Sequence, residues 1–196
     1  MSITVLCELR PHADQADAVI QRAIEQLSLP ASDGRIVRLY QHVDDPAWLL
    51  YLAEWSSREA FEAYRQTVPM LGTPDQLQQV PVYRFYQRLA LFERVLVPVS
   101  IVGVAIVDGP VATHAARRDL ALAYHRFGGR DRPGLALLQV HEAVDAAPGL
   151  LLISGWETVE QLRQADPEAG RALLDQLEAN GGTHRRFVGR ALTAGS

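Results

Sequence analysis

The sequence predicts an α+β protein built from two tandem ferredoxin-like units, each running strand, helix, strand, strand, helix, strand. Three observations predict it. First, short motifs recur. Gly34-Arg35-Ile36-Val37-Arg38-Leu39-Tyr40-Gln41-His42 is echoed by Pro133-Gly134-Leu135-Ala136-Leu137-Leu138-Gln139-Val140-His141, and Ala53-Glu54-Trp55 by Ser154-Gly155-Trp156. Arg84-Phe85-Tyr86-Gln87-Arg88 is likewise matched by Arg186-Phe187-Val188-Gly189-Arg190. Second, the offset drifts slowly, from 99 at the histidines to 101 at the tryptophans and 102 at the arginines. That pattern marks two copies of one domain-sized unit with small insertions, not a solenoid of shorter repeats. Third, apolar periodicity alternates between strand-like and helix-like in the same order in both halves. Two such halves suggest an ancestral homodimer joined into one chain.

In the first half, Ile3 to Leu9 is apolar and β-branched and reads as a strand, which Pro11 ends. Val19, Ile20, Ala23, Ile24 and Leu27 then recur at helical spacing, predicting a helix from about residue 13 to 28. Pro30 and Gly34 punctuate a loop, Ile36 to Val43 is a second strand, and Asp44-Asp45-Pro46 is a turn. Trp48 to Trp55 is a third strand. Ser56-Ser57-Arg58-Glu59 has the spacing of a capping box with Ser56 as N-cap, opening a short helix that carries Ala60, Phe61 and Tyr64. Thr73-Pro74-Asp75-Gln76 reads as another helical turn, and Tyr83 to Phe92 as a long closing strand.

The second half repeats this order. Val99 to Val107 is a strand, Gly109-Pro110 a break, and Ala116, Leu120, Tyr124 and Phe127 mark a helix face. Leu135 to Glu142 and Leu150 to Trp156 are strands. Thr158-Val159-Glu160-Gln161 is a capping box, Asp166-Pro167 opens a helix that ends at Asn180-Gly181, and Phe187 to Leu192 closes the unit. The expected domains are 1–96 and 97–196, joined at Leu96-Val97-Pro98, a junction too short and apolar for a flexible linker. A four-stranded antiparallel sheet with both helices on one face leaves the other face bare, so the two units are expected to pack sheet to sheet as an eight-stranded α+β barrel. The third strand supports this. Trp48, Leu50 and Leu52 alternate with Leu49, Tyr51, Ala53 and Trp55, so both of its faces are apolar and need cover.

Composition narrows the function classes. At 196 residues, 48% hydrophobic and 21% charged, the chain can bury a core without disulfides or metal. The net charge of -4 is mild and carries no basic stripe, which argues against a nucleic-acid partner. No apolar run reaches the 18 or so residues of a membrane helix. The start Met1-Ser2-Ile3-Thr4-Val5 lacks a signal peptide's charged region, and the one cysteine, Cys7, fits a reducing compartment, so the expectation is a cytoplasmic protein. All 19 basic residues are arginine, which removes any Schiff-base or general-base lysine. No phosphate-cradling loop and no nucleophile elbow appears.

Two sets of residues carry a resemblance. One is Pro133-Gly134 opening a strand and Gly155-Trp156-Glu157 ending the next before a capped helix. The other, a closer match, is Gly34, Asp44-Asp45-Pro46 and Glu54-Trp55-Ser56-Ser57-Arg58-Glu59-Ala60-Phe61. The chain resembles two tandem antibiotic biosynthesis monooxygenase-type domains of the dimeric α+β barrel superfamily. The resemblance implies the barrel fold and a small oxygenase that uses no cofactor, acting on an anthrone- or quinol-like polycyclic substrate with molecular oxygen. Cyclase-like relatives and binding modules are the alternatives it leaves open. Haem-degrading relatives need an asparagine on the first strand and a histidine about ten residues after the tryptophan. The chain offers Cys7-Glu8-Leu9 and, after the two tryptophans, Arg65-Gln66 and Asp166, so that activity is set aside.

Candidate site residues follow. Trp55 and Trp156 end the third strands, where an indole can stack on a flat substrate or plug the core; in the resembling family this position lines the pocket. His42 and His141 recur at the ends of the second strands and can take a proton from a phenol or an activated methylene, or bond a loop. Arg38 and Tyr40 share a face with His42 and can bind a phenolate or carboxylate. Leu137 and Gln139 stand there in the second half, so the first half is the expected seat of activity. His42 and Arg38 are therefore the expected catalytic residues, and Trp55, Tyr40, Tyr51, Trp156 and His141 the expected substrate contacts. Tyr64, Tyr83 and Tyr86 are further pocket or core phenols. Arg84, Arg88, Arg186 and Arg190 are expected in ion pairs, and Cys7 as an inert buried thiol. No metal-ligand spacing is found. The expected partners are a small aromatic substrate and oxygen, with no membrane and no nucleic acid, and further association into a homo-oligomer fits the fold.

Overall fold

The computed structural model of the chain describes residues 2–27, 36–67, 71–94, 98–128, 132–145, 147–165 and 167–192. The expected Pro30–Gly34 loop, most of the Leu96-Val97-Pro98 junction, Gly129 and Asp166 lie outside those residues. In chain order the first series of elements is β1 (Ile3–Leu9), a 3-10 turn Ala13–Gln15, α1 (Ala16–Leu27), β2 (Ile36–His42), β3 (Leu49–Trp55), α2 (Arg58–Thr67) and β4 (Tyr83–Glu93). The second is β5 (Ile101–Asp108), a 3-10 turn Val111–Thr113, α3 (His114–Ala123), a π turn Tyr124–Gly128, β6 (Leu135–Ala143), β7 (Gly149–Trp156), α4 (Val159–Gln164), α5 (Pro167–Ala179) and β8 (Thr183–Leu192). The fold is α+β, with eight strands and two ferredoxin-like series, as the sequence predicts.

Three local readings need correction. The N-cap of α2 is Ser57, not Ser56: its hydroxyl accepts from the Ala60 N–H at 3.2 Å. β3 runs on to Trp55, so Ser56 is spent leaving the strand. The Ser57 hydroxyl, together with Glu59's own backbone N–H, also holds the Glu59 carboxyl below its ordinary pKa. Thr73–Gln76 is a single turn closed by Gln76 N–H to the Thr73 carbonyl at 2.9 Å, because Leu77 leaves it at once to bridge Pro11. β8 begins at Thr183, before any apolar signal. The capping box at α4 forms as expected. The Thr158 side chain accepts from Gln161 N–H while the Gln161 side chain accepts from Thr158 N–H. Thr158→Ala should therefore cost about 1 kcal/mol of stability, read as a shifted denaturation midpoint.

The chain resolves into two compact units, and the boundary falls inside strands. One unit runs to Phe85 and takes back the chain from Gly189; the other spans Tyr86–Val188. In the first unit β3 is central, antiparallel to β1 (Ile3↔Trp55, Leu9↔Leu49) and to β2 (Val37↔Ala53, Gln41↔Leu49). The far edge of β2 pairs with the end of β8, from Leu39↔Leu192 to His42↔Gly189. In the second unit β7 is central between β5 and β6, and β6 pairs with the later part of β4, from Tyr86↔Ala143 to Glu93↔Leu137. The closing strand of each half thus completes the sheet of the other half's unit.

Packing follows from strand parity. In the first unit Ile3, Val5, Cys7 and Leu9 of β1, Leu39 of β2, and Leu49, Tyr51, Ala53 and Trp55 of β3 bury against Val19 and Ala23 of α1 and Phe61 of α2. The opposite face is covered as well: Leu6, Tyr40 and Leu50 are fully buried. In the second unit Val107, Val140, Leu150 and Leu152 pack on Ala121 of α3 and Leu173, Leu174 and Leu177 of α5. Cys7 is buried as expected. Burial, reinforced by Glu8, pushes its thiol up to about 12, so it is no nucleophile near neutrality.

Candidate functional site

Register decides which of the candidate residues can meet. Leu39 pairs with Tyr51 and Tyr40 with Leu50. Residues paired across a ladder share a face, and neighbours along a strand alternate. Tyr51 and Trp55 therefore lie on the helix-covered face of the first unit's sheet, and Arg38 and Tyr40 on the face turned away from α1 and α2. The expected set is divided between two sides of one sheet.

On the far face burial raises the pKa of the Tyr40 phenol, and the charge and hydrogen bond of Arg38 oppose the rise. His42 is occupied at the strand end. Its Nδ1 accepts the backbone N–H groups of Asp44 and Asp45, each at 3.1 Å, which fixes the turn into β3. Its ring stacks on Trp48 with centroids 4.8 Å apart and planes within 10°. The Arg10 guanidinium lies over the same indole at 3.9 Å and pairs with Asp45 at 2.6 Å.

The helix-covered face holds the densest aromatic cluster. Trp55 meets Phe61 edge-on at 5.5 Å and Tyr64 at 5.0 Å. Phe61 in turn meets Tyr83 at 5.2 Å and Phe85 at 5.5 Å. Trp55 and Phe61 are buried, while Tyr64 and Tyr83 are half-buried and reach the edge. Phe61, Tyr64 and Arg65 fall at i, i+3 and i+4, so α2 presents them together. The Arg65 guanidinium lies 4.5 Å from the Tyr83 ring centroid and 6.0 Å from that of Phe61. Burial, with the nearby Cys7 thiol adding to it, pushes the Tyr83 phenol up to about 12, and Arg65 pulls the other way. Tyr83 is thus a protonated donor at neutral pH. Tyr86, next along β4, is fully buried and outside this cluster.

The second unit surrounds its tryptophan differently. Trp156 packs on Ile101, Leu135, Leu138 and Ala165, with Phe92, Tyr124, Val159 and Leu162 partly buried beside it. Its indole N–H is buried with no hydrogen-bond partner among the described residues. At the repeat offset of the tryptophans, Leu162 stands for Phe61 and Ala165 for Tyr64. His141, unlike His42, is wholly buried, and its Nε2 lies 3.1 Å from the Gln139 side-chain oxygen. Arg186 and Arg190 are exposed and make no ion pair among the described residues, contrary to expectation. No three His, Cys, Asp or Glu side chains converge on a metal-sized site among the described residues, and no helix there is long and apolar enough to cross a membrane.

The fold defines the class: an α+β chain of two ferredoxin-like units, one of which carries an aromatic cluster at the strand–helix joint. Residues 2–73 match the family model described as antibiotic biosynthesis monooxygenase. No curated protein matches the chain in sequence. Solved structures match it in fold. An anthrone oxidase-like protein superposes with TM-score 0.75 at 14% identity, over 100% of this chain and 94% of its own. A candidate monooxygenase from Lactobacillus acidophilus NCFM gives 0.67 at 9%, over 99% and 97%. A protein described as a major regulator of staphylococcal pathogenesis gives 0.59 at 6%, over 98% and 100%. One fold thus carries differently described proteins, and the site has to decide the function.

Sequence reasoning singled out Trp55 and Tyr51 but passed over Arg65 as a site residue. The signal was present: an aromatic pair and a cation at i, i+3 and i+4 directly after the tryptophan.

Proposed function

We propose that the cluster around Trp55 is the substrate site of a cofactor-independent monooxygenase that oxidises a planar anthrone- or quinol-like substrate with molecular oxygen. The observation that carries this reading is the asymmetry between the units. Trp55 meets the rings of Phe61 and Tyr64, and Phe61 carries the cluster on to Tyr83 and Phe85, whereas Trp156 makes no ring contact among the described residues, although Phe92 and Tyr124 pack partly buried against its cluster. Aromatic side chains suit stacking on a flat ring system, and the half-buried phenols Tyr64 and Tyr83 at the edge of the cluster supply donors for its oxygens.

In this reading Trp55 and Tyr51 wall the substrate, and the Tyr64 and Tyr83 hydroxyls stabilise charge as it forms on the ring oxygen. An anthrone methylene loses a proton to become an electron-rich carbanion, which reduces oxygen directly. One oxygen atom ends as the new carbonyl. The other leaves as water with the two methylene hydrogens, so no external reductant enters. Arg38, Tyr40 and His42 stand outside that cluster, the first two holding the far face of the sheet and the third its β2–β3 turn. A protonated Tyr83 also suits acid catalysis of a ring closure, the cyclase reading, which turns over without oxygen.

The test is oxygen consumption by chelator-treated protein with a panel of anthrones and hydroquinones. Tyr83→Phe should lower the rate about a hundredfold, the order of one lost transition-state donor. Trp55→Ala should abolish uptake and Trp156→Ala leave it in place, each variant being checked for fold by circular dichroism. Uptake that depends on Trp156 instead, or none with any substrate, would refute the reading; product formed under nitrogen would select the cyclase.

A further inference from the structure

We infer that Arg65 is the anion-recognition residue of the Trp55 cluster, and that the ligand this site takes is a planar aromatic anion: a phenolate, an enolate or an aryl carboxylate. The inference rests on the reading of that cluster as a substrate site and adds the charge of what binds there.

Arg65 sits in the last turn of α2 with its guanidinium over the Tyr83 ring at 4.5 Å and within 6.0 Å of the Phe61 centroid. Its surroundings set it apart from the other arginines of the unit. Arg58 lies over Phe85 at 4.4 Å, but its charge is met by Glu62 at 2.8 Å. Arg10 stacks on Trp48, and Asp45 meets it at 2.6 Å. Arg65 is exposed, rests on aromatic faces, and has no ion-pair partner among the described residues. A guanidinium stacked on a ring keeps its N–H groups in a plane, free to fork onto two oxygens of a ligand lying along the same faces. Stacking holds that fork at the rim, so little order is lost on binding.

Its field also reaches inward. Arg65 acts on both the Cys7 thiol and the Tyr83 phenol, opposing the rise that burial imposes on each. A ligand oxygen between Tyr83 and Arg65 would therefore meet one neutral donor and one cation, a pairing that favours the ionised ligand over its neutral form. The repeat gives a contrast: at the offset of the tryptophans the position equivalent to Arg65 is Asp166, the opposite charge.

The experiment is isothermal titration of the whole chain with two probes of one shape, anthraquinone-2-carboxylate and anthraquinone-2-carboxamide, on the wild type and on Arg65→Met and Arg65→Lys. The wild type should prefer the carboxylate by about tenfold or more, the worth of one charge-assisted hydrogen bond. Arg65→Met should erase that preference by weakening the carboxylate alone, and Arg65→Lys should restore part of it. Because Arg65 is exposed, neither variant should disturb the fold, which circular dichroism would check. Binding of both probes with no preference in the wild type, or with the same preference in Arg65→Met, would overturn the role of Arg65 and leave the aromatic site standing. Failure of both probes to bind the wild type would overturn both.

Discussion

Below about pH 6.5 the protein should lose stability at about 1.4 kcal/mol per pH unit from His141 alone, and His141→Gln should remove that slope. His141 is wholly buried on β6, opposite Arg88 in the β4 ladder. Burial first, and the Arg88 charge second, push its pKa down to about 3 from an ordinary 6.5. The sign follows from the two states. Above pH 6.5 neither the folded nor the unfolded chain holds the proton, and the full stability is present. As pH falls below 6.5 the unfolded chain takes up a proton that the folded chain refuses, so stability drains away until the folded pKa near 3 is reached. Glutamine keeps a hydrogen-bonding amide beside Gln139 and cannot titrate. The measurement is the urea midpoint of both proteins from pH 7.5 to 4.5, and the decisive quantity is the difference between their slopes, since carboxylates contribute equally to each. Parallel curves would show that His141 is not held neutral.

Arg117→Met should destabilise the second unit by roughly 3 kcal/mol, the order expected when buried acceptors lose their donor. Arg117 is a fully buried arginine that meets no carboxylate among the described residues. It instead donates from Nη1 to the Thr113 hydroxyl at 2.6 Å and the Asn180 carbonyl at 3.2 Å, and from Nη2 to the Pro110 carbonyl at 3.0 Å. The guanidinium thus ties the loop after β5 to the C-terminal end of α5, where a cation complements the helix dipole. Two glycines make room for it. A Cβ on Gly109 would lie 2.8 Å from the guanidinium carbon, and one on Gly182 would lie 3.1 Å from Cδ and 2.7 Å from the Leu177 carbonyl. Lysine has no fork and should not rescue the loss. A change under about 0.5 kcal/mol in the urea-derived stability, the scatter of ordinary surface substitutions, would contradict the account.

Much of the fold was legible because it is written locally. The unbroken run Ile3–Leu9 and the two-sided apolar strand Leu49–Trp55 declare themselves in a few residues each, and the Thr158 cap needs only its third neighbour. What escaped depends on distant chain. Thr183-His184-Arg185-Arg186 has no strand pattern of its own, yet it opens β8. Which edge β4 and β8 complete depends on pairings a hundred or more residues apart in some cases, such as Leu39 with Leu192. The grouping of the candidate residues depends on distant chain in the same way. Each of Arg38, Tyr40, Tyr51 and Trp55 was a sound candidate singly, but their division between two faces follows from the Leu39↔Tyr51 register, which no single strand reveals. The echoed histidines show how one residue type acquires two environments. β2 ends at His42, which turns to hold a loop, while β6 runs on to Ala143 and carries His141 inside.

The shared strands bear on how the protein is made. β2 receives its outer neighbour from Gly189–Leu192, the last described strand of the chain. A nascent chain that has finished the first βαββα series therefore carries an unpaired strand edge through the whole synthesis of the second. An open edge is a template for pairing with other chains. The interval before β8 emerges is thus the stage at which this protein is most exposed to aggregation, and truncation near the C-terminus should harm the first unit more than any cut of equal length in a surface loop.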